Sequence, residues 1–261
     1  MSEVNVLKRS QPLQRLFPIV WATSSLVLLL AIWWVAAEGF NNRFLPTPAA
    51  VLDALVREWR TGDLLFHLQA TLGRVLVSFI LAMFIGCLIG IFLGRNQRAD
   101  YFFDSWLILM LNLPALVVMI LCYIWFGLTD FAAILAVIIN KVPNVAVTVR
   151  EGARALDREL AQMARLYRFS SWKTLRHVVL PQLNPYFAAA ARGGLALVWK
   201  IVLVVELLGR SNGVGFQIHL SFQTFDVATI LAYSFAFIFV VQLIEWFILK
   251  PWGRSANKWR Q

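Results

Sequence analysis

Two lysines stand in the middle of long apolar stretches, where a charged side chain is least expected. Lys141 lies in the fourth long apolar run of the chain, and Lys200 lies in the fifth, together with Arg192 and Glu206. A charge inside a bilayer is costly unless it faces a cavity or a partner group. Two such cations could receive an anionic solute as it crosses the membrane. The alternative is an ion pair with Glu206 or Glu245 that fixes helix packing.

A solute pathway would be lined by polar side chains of these runs. Lys141 precedes Glu151 by ten residues, so it lies about 15 Å from the cytoplasmic end of its helix, near the middle of the membrane. Trp199, beside Lys200, could form a pocket wall or could simply pack. Glu206 is a further charged candidate in the fifth run. The pathway candidates are Lys141, Lys200, Asn112, Asn140, Trp199 and Glu206.

The stretch from Arg150 to Leu180 is the longest polar interruption of the hydrophobic pattern, and it carries too many charges to cross a membrane. Apolar residues recur within it at steps of three and four, which predicts an amphipathic helix. These residues are Ala153, Leu156, Leu160, Met163 and Tyr167. Such an insert can dock on a soluble partner, or it can lie on the inner leaflet, attracted by anionic lipid.

The chain lacks the residue groupings of a catalyst. His67, His177 and His219 lie far apart without metal-ligand spacing, and Cys87 and Cys122 both lie in apolar runs. We find no Ser-His-Asp arrangement, no carboxylate pair and no Walker A loop for phosphate. We therefore expect no catalytic residue, no metal site and no cofactor on this chain. Any ATP hydrolysis has to come from another polypeptide.

The elements that position these residues are long apolar helices. The chain has 261 residues and is 60% hydrophobic, above the ~45–50% of soluble domains. Six runs are long enough to cross a hydrocarbon core of roughly 30 Å. They are 18–37, 75–94, 105–129, 131–149, 185–208 and 227–249. The sequence therefore predicts an all-α membrane protein with about six transmembrane helices.

The distribution of positive charge predicts the orientation of these helices. Most of the 24 Lys and Arg residues lie in the two terminal segments and in the insert. Because cytoplasmic loops are enriched in Lys and Arg, both termini and the insert are expected in the cytoplasm. The same distribution explains the net charge of +10 without nucleic-acid binding.

Two further patterns predict packing. Gly86, Gly90 and Gly94 recur every four residues, a spacing that lets helix backbones approach closely in a membrane. A short amphipathic helix is expected from Pro48 to Trp59, at the outer surface. We divide the chain into a cytoplasmic tail (1–16), a transmembrane domain (17–250) that contains the insert (150–181), and a second tail (251–261).

Six short motifs follow one another between residues 44 and 250. They are Phe44-Leu45-Pro46-Thr47-Pro48, Thr71-Leu72-x-Arg74, Ile124-Trp125-Phe126-Gly127, Glu151-Gly152-Ala153 followed by Leu180-Pro181, Val205-Glu206-Leu207-Leu208, and Gly213-Val214-Gly215-Phe216. In this combination the chain resembles the membrane-spanning subunits of type I ATP-binding-cassette importers. Within that family it resembles the branch that imports taurine, aliphatic sulfonates and nitrate.

Three positions depart from the family pattern. Gly152 stands where Ala is usual, Arg168 stands where the turn of the insert usually has Gly, and Asn112-Leu113-Pro114-Ala115 replaces a run that is richer in proline. A residue with a Cβ is disfavoured at positive φ. The turn at Arg168 is therefore expected to be built differently.

The resemblance implies the permease subunit of a bacterial inner-membrane importer. Its partners would be a second permease copy (a homodimer), two cytoplasmic ATP-binding subunits that hold ATP and Mg²⁺, a periplasmic or lipid-anchored substrate-binding protein, and membrane lipid. The insert would be the coupling helix that contacts the ATPase. Its coupling residues would be Glu151, Gly152, Ala153, Leu156, Asp157, Leu160, Met163 and Arg168.

The expected solute is small and anionic, similar to a sulfonate, taurine or nitrate, and it would move inward by alternating access. An alternative is a gradient-driven secondary carrier or channel, with Lys141 and Glu206 as relay groups. Such a carrier would work without an ATPase.

Overall fold

The structure is a computed structural model, and it describes residues 11–40, 42, 44–61 and 63–252. Within these residues the chain is helical and contains no β-strand. The helices are α1 (Gln11–Phe40), α2 (Pro48–Thr61), α3 (Asp63–Arg95), α4 (Gln97–Asn112), α5 (Ala115–Phe126), α6 (Asp130–Arg154), α7 (Arg158–Leu166), α8 (Ser171–Thr174), α9 (Leu180–Gly209), α10 (Val214–Gln223) and α11 (Val227–Ile244). Single π-helical turns, Leu175–Val179 and Glu245–Leu249, lead into α9 and follow α11.

The length and apolar character of these helices confirm an all-α membrane fold with about six spans. Five helical segments of the described chain are long and apolar enough to cross a membrane. A sixth span results if α4 and α5, which meet at an angle of 93°, are counted as one broken span.

The run 105–129 is therefore not the single straight helix that its apolar length predicted. It breaks at Leu113, which has φ −66° and ψ 126°, an extended conformation. Pro114 follows directly, and a proline disfavours the helical region for the residue before it and lacks an N–H for the helical ladder. The chain turns at this point and continues as α5.

The long helices α6 and α9 run antiparallel and define two ends of the bundle. Gly152 of α6 lies against Tyr186 of α9 at one end, and Asp130 forms an ion pair with Arg210 at the other. We call the first the insert end, because residues 155–179 lie there, and the second the opposite end. The Trp252 indole N–H lies 3.4 Å from the Asn184 side-chain oxygen, so α11 also finishes at the insert end.

The close contact between α3 and α6 confirms the role expected for the glycine pattern. A Cβ at Gly86 would lie 2.6 Å from Cβ of Val145, and a Cβ at Gly90 would lie 2.6 Å from the Ala146 carbonyl oxygen. Backbone meets backbone along this seam, because small residues leave no side chains between the helices. The seam holds α6, and with it Lys141, against α3.

The remaining helices surround this pair. α2 confirms the helix expected from Pro48, and it packs Val51 and Ala54 against Ala232 of α11. α1 lies at the outside of the bundle, because only 6% of its apolar segment Thr23–Phe40 is buried. Large apolar side chains are exposed over much of the outer surface, as a protein surrounded by lipid requires.

Candidate functional site

The amphipathic helix that the apolar spacing predicted from Ala153 to Tyr167 is broken in the structure. α6 continues to Arg154, and α7 starts after Asp157. The Asp157 carboxylate accepts hydrogen bonds from the backbone N–H groups of Glu159 at 2.7 Å and Leu160 at 3.4 Å. Its own N–H donates to the Gln182 side-chain oxygen at 2.9 Å. Asp157 is thus the N-cap that starts α7 and ties the insert to α9.

The three predicted coupling residues before this break belong to the last turn of α6. Gly152 and Ala153 are buried within their own chain, and only Glu151 is exposed. A Cβ at position 152 would lie 2.5 Å from Cγ of Tyr186. The usual alanine would therefore force the Tyr186 ring to move, so the glycine at this position is matched to the tyrosine.

The turn after α7 keeps a positive φ in spite of its arginine. Arg168 has φ 50°, the left-handed conformation in which glycine is favoured. The Phe169 N–H donates to the Ala164 carbonyl at 2.8 Å, and the Arg168 N–H donates to the Arg165 carbonyl at 3.0 Å. These two bonds are those of a Schellman motif. The expectation of a differently built turn is wrong, because the motif's hydrogen bonds offset the steric cost of the Cβ.

Replacing Arg168 by Gly should therefore stabilise the insert by roughly 1 kcal/mol, since it removes that steric cost. Hydrogen exchange of the Phe169 amide, which measures local opening, should slow by about fivefold. Arg165→Gly is the matched control: it lies inside α7 at ordinary helical geometry and should speed exchange, because glycine weakens a helix interior. Equal exchange rates in Arg168→Gly and the parent chain would contradict a strained turn.

The apolar side chains of the insert have two different environments. Leu156, Leu160 and Met163 line a groove of about 370 Å³ between the insert and α9. Leu166, Tyr167 and Trp172 point away from the chain and are 81%, 70% and 68% exposed. The exposed group is a surface apolar enough to bury against another protein. We call Leu166, Tyr167 and Trp172 the insert surface.

An ion-pair network at the insert end fixes the last turn of α6. Arg150, which is 8% exposed, contacts the carboxylates of Asp100 at 3.0 Å and Asp104 at 2.5 Å. Arg154 also pairs with Asp100, and it pairs with Glu151 at 2.9 Å. This network joins α4 to α6, so Glu151 is held by its own chain and starts the insert from a rigid position.

The predicted pathway residues do not form one cluster. Lys141 is 3% exposed and lies between α6 and α9, whereas Lys200 and Asn112 are exposed on different helices. Trp199 is buried, and its ring packs against Phe237 with centroids 6.4 Å apart. Its environment is that of an ordinary core aromatic.

Asn140 is half-buried on α6, one residue before Lys141. Its side-chain amide donates to the Ala136 carbonyl at 2.8 Å. One turn later Asn144 is exposed and donates in the same way to the Asn140 carbonyl at 3.3 Å. Each amide nitrogen keeps a second N–H that these bonds do not use.

Glu206 lies at the centre of a buried polar network at the opposite end. Its side chain has 0% exposure. One carboxylate oxygen accepts from Arg74 at 2.6 Å, and the other accepts from the Thr71 hydroxyl at 2.8 Å and the Gly215 N–H at 2.9 Å. The structure thus supports a structural role for Glu206, since these partners occupy both of its oxygens.

The same network fastens α10 to α3. The Val214 N–H donates to the Thr71 hydroxyl oxygen at 2.8 Å, and the Gly213 N–H donates to His67 Nδ1 at 3.0 Å. Gly213 has φ 113°, and a side chain there would run into the Glu206 carboxylate. α10 therefore starts against a buried carboxylate, where a helix N-terminus favours negative charge.

Sequence reasoning missed the partners of these charges. Arg74 also contacts Asp130 at 2.7 Å and the Asn212 carbonyl at 3.0 Å, and neither Asp130 nor Asn212 was a candidate. The signal available was a carboxylate or amide beside a predicted span end, which is common and therefore weak. Across the part of the chain that is described, no group of three or more His, Cys, Asp and Glu side chains could hold a metal ion.

Comparison with known proteins shows which family this chain matches and which proteins it is similar to. Residues 82–248 match the family described as binding-protein-dependent transport system inner membrane component. A putative aliphatic sulfonates transport permease protein of Bacillus subtilis is 28% identical, over 89% of this chain and 85% of that protein. The taurine transport system permease protein of Escherichia coli is 25% identical, over 97% and 94%. The bicarbonate transport system permease protein of Synechococcus elongatus is 26% identical, over 84% and 82%.

Two solved structures share the fold. A chain of a methionine ABC transporter in inward-facing conformations superposes with a TM-score of 0.62 at 18% identity, over 72% of this chain and 93% of that one. A chain of an amino acid ABC transporter superposes with a TM-score of 0.61 at 18% identity, over 77% and 97%.

Proposed function

This chain belongs to the family of binding-protein-dependent transport system inner membrane components, and from that membership we propose that it is the permease subunit of an ATP-binding-cassette importer for a small anionic solute. The complex would lie in a bacterial inner membrane, with both termini and the insert in the cytoplasm. Solute would move inward as the permease alternates between a state open to the outside and a state open to the cytoplasm.

Within the structure, the insert surface is the observation that carries this proposal. Leu166, Tyr167 and Trp172 are all more than two-thirds exposed, on a segment too polar to lie within the membrane. The same segment carries exposed arginines, including Arg158, Arg165 and Arg168. A buried aromatic anchor with a polar rim is the usual anatomy of a protein interface. The fitting partner is a cytoplasmic ATPase with an apolar groove and acidic rim.

The internal contacts of the insert support its use as a lever. Asp157 is tied to Gln182 of α9, and Glu151 lies on α6 within the network of Arg150 and Arg154. A displacement of α7 is therefore passed to both α6 and α9. Closing of an ATPase dimer would in this way tilt the two helices that flank Lys141. Of the proposed coupling residues, Leu160 and Met163 contact the groove and Arg168 shapes the turn.

The rest of the assembly follows from the same proposal. A second permease copy would complete the pathway, ATP and Mg²⁺ would bind on the ATPase, and an external binding protein would deliver the solute. The named solutes of the relatives are sulfonates, taurine and bicarbonate, each of which carries a negatively charged oxygen group. We take a solute of that charge as the one that this chain moves.

Removing the apolar side chains of the insert surface should weaken ATPase binding. The double variant Leu166→Ser/Trp172→Ser loses two exposed anchors, and a tryptophan anchor alone is worth roughly 2 kcal/mol or more. Affinity for the purified ATPase, measured in detergent by surface-immobilised titration, should fall by about thirtyfold or more. Tyr101→Ser, which removes a 74% exposed aromatic side chain on α4, should leave it unchanged.

Unchanged affinity in the double variant would contradict docking through the insert. A second measurement separates the importer from a gradient-driven carrier: the chain alone, reconstituted in liposomes, should take up no sulfonate or bicarbonate under an ion gradient. Uptake by the chain alone would overturn the importer.

A further inference from the structure

Lys141 differs from the other buried cations of the described chain. Arg74 pairs with the Glu206 carboxylate at 2.6 Å, and Arg150 pairs with the Asp100 carboxylate at 3.0 Å. Lys141 is 3% exposed, yet among the described residues it forms no hydrogen bond and no ion pair. The ion pair with Glu206 considered from the sequence does not form, because Arg74 occupies that carboxylate. An uncompensated buried cation is costly, and an anion from outside the described chain would offset that cost.

The backbone opposite Lys141 leaves room for its ammonium group. A Cβ at Gly194 of α9 would lie 2.8 Å from the lysine Cε and 3.3 Å from Nζ, and 3.5 Å from the ring of Phe79. The end of the lysine side chain thus lies against the backbone at position 194, in space that a larger residue there would need. Lys141 lies 11 residues from one end of α6 and 13 from the other, which places it near the middle of the span.

A polar face of α6 lies beside this lysine. Asn140, Asn144 and Thr148 recur every four residues and so share one side of the helix. By helical geometry this side is rotated by roughly 20–100° from the direction of Lys141. Asn144 is exposed, and Asn140 and Thr148 are half-buried. Polar side chains at this depth need water, a ligand or another protein surface, since lipid offers no partner.

The exposed face of α9 is on the same side of the helix pair. Gly193 and Lys200 are both exposed. Around the axis of α9 they lie roughly 100° and 120° away from Gly194. The sense of this rotation is the same as that from Lys141 to the polar face of α6. Because α6 and α9 run antiparallel, equal senses of rotation bring both faces to one side. This side presents amide groups, a second lysine and a glycine, with Lys141 at its edge.

We infer that Lys141 and the Asn140–Asn144–Thr148 face of α6 form a mid-membrane binding site for the transported anion; the inference rests on the proposed importer function. The ligand class is a small oxyanion with one negative charge, such as a sulfonate, a carboxylate or bicarbonate. One ammonium balances one such charge, and its three donors can satisfy tetrahedral or planar oxygens. The free amide N–H groups of Asn140 and Asn144 supply neutral donors along the same face.

The physical role of the site is to replace part of the water that the anion loses in the membrane. A cation that bound the anion too tightly at this depth would stop transport. The lysine ammonium is a point charge without bidentate geometry, so it holds an oxyanion less firmly than an arginine does. Lys200 lies six residues after Gly194 on α9, about 9 Å of helical rise toward the opposite end. It would therefore act earlier on the same side. The site is thus a transit site.

The test uses the permease assembled with its ATPase in proteoliposomes and supplied with binding protein. The probes are labelled methanesulfonate, taurine and bicarbonate, each tested separately. Lys141→Gln should assemble with the ATPase, but its uptake of the transported probe should fall by about tenfold or more. Lys141→Arg, which keeps the charge, should transport at an intermediate rate. Arg98→Gln, which removes an exposed cation outside the site, should match the parent.

A second variant does not remove the lysine. Gly194→Ala places a methyl group 2.8 Å from the lysine Cε, so the end of the lysine side chain has to move, and uptake should fall while assembly persists. Parent-level uptake in both Lys141→Gln and Gly194→Ala would overturn the site. Failure of all three variants to assemble would also overturn it, because Lys141 would then be needed for folding alone. Absence of ATP-dependent uptake of every probe by the parent complex would instead refute the proposed solute class.

Discussion

Replacing Arg74 by methionine should lower the free energy of unfolding by roughly 3–5 kcal/mol, because it leaves the Glu206 carboxylate buried without its cation. Glu206 has no exposed surface and Arg74 is its only charged partner among the described residues. The Gly215 N–H and the Thr71 hydroxyl would remain as donors, and they cannot neutralise the charge. The measurement is thermal unfolding in a fixed detergent, followed by the loss of helical circular dichroism.

A double variant separates charge from packing. Arg74→Met/Glu206→Gln keeps the hydrogen-bond acceptor for Gly215 and buries no unpaired charge, so it should recover a large part of the lost stability. Arg57→Met is the control, since Arg57 also forms ion pairs at the opposite end, but its side chain is 57% exposed. Exposed pairs contribute roughly 0–1 kcal/mol. Equal destabilisation in Arg74→Met and the double variant would show that the network acts through shape alone.

Adding a single methyl group at Gly90 should destabilise the bundle by roughly 1–3 kcal/mol. A Cβ at this position would lie 2.6 Å from the Ala146 carbonyl oxygen and 3.0 Å from the Arg150 N–H nitrogen. Both are backbone atoms of α6, so no side-chain rotation can relieve the contact, and the helices have to separate. The same thermal unfolding measurement in detergent tests this effect.

Gly73→Ala on the same helix is the matched control and should have the opposite sign. A Cβ at Gly73 would meet no atom within 4 Å, so the alanine only removes the entropic cost of a glycine inside a helix, about 0.5–1 kcal/mol. A stabilising Gly90→Ala would show that α3 and α6 are not in backbone contact in the membrane.

Several features were predictable because they depend on residues that are close together in sequence. Apolar run length predicted the spans, since a membrane crossing needs a certain number of consecutive apolar residues. The four-residue spacing of Gly86, Gly90 and Gly94 predicted a seam for close packing, because that spacing puts them on one side of a helix. The six motifs predicted the family.

Other features were predicted incorrectly because one residue, or a few hydrogen bonds, overrode the conformation that the surrounding sequence favours. The third apolar run breaks at Pro114, which overrides the hydrophobic length of the run. The insert breaks after Arg154, where the Asp157 cap and its bond to Gln182 start a new helix. The turn at Arg168 keeps its left-handed geometry, since two backbone hydrogen bonds depend on it.

The sequence by itself determined which residues are charged, which stretches are apolar and which helix side each residue occupies, since these follow from composition and helical periodicity. Only the tertiary structure decided which charges meet. Glu206 and Arg74 are 132 residues apart in the chain and 2.6 Å apart in space. Lys141 lies on α6, which packs against the helices of both residues, yet it meets no carboxylate among the described residues. The physical reason is that side-chain pairing depends on how helices distant in sequence are rotated and offset against each other, and no local pattern records that geometry.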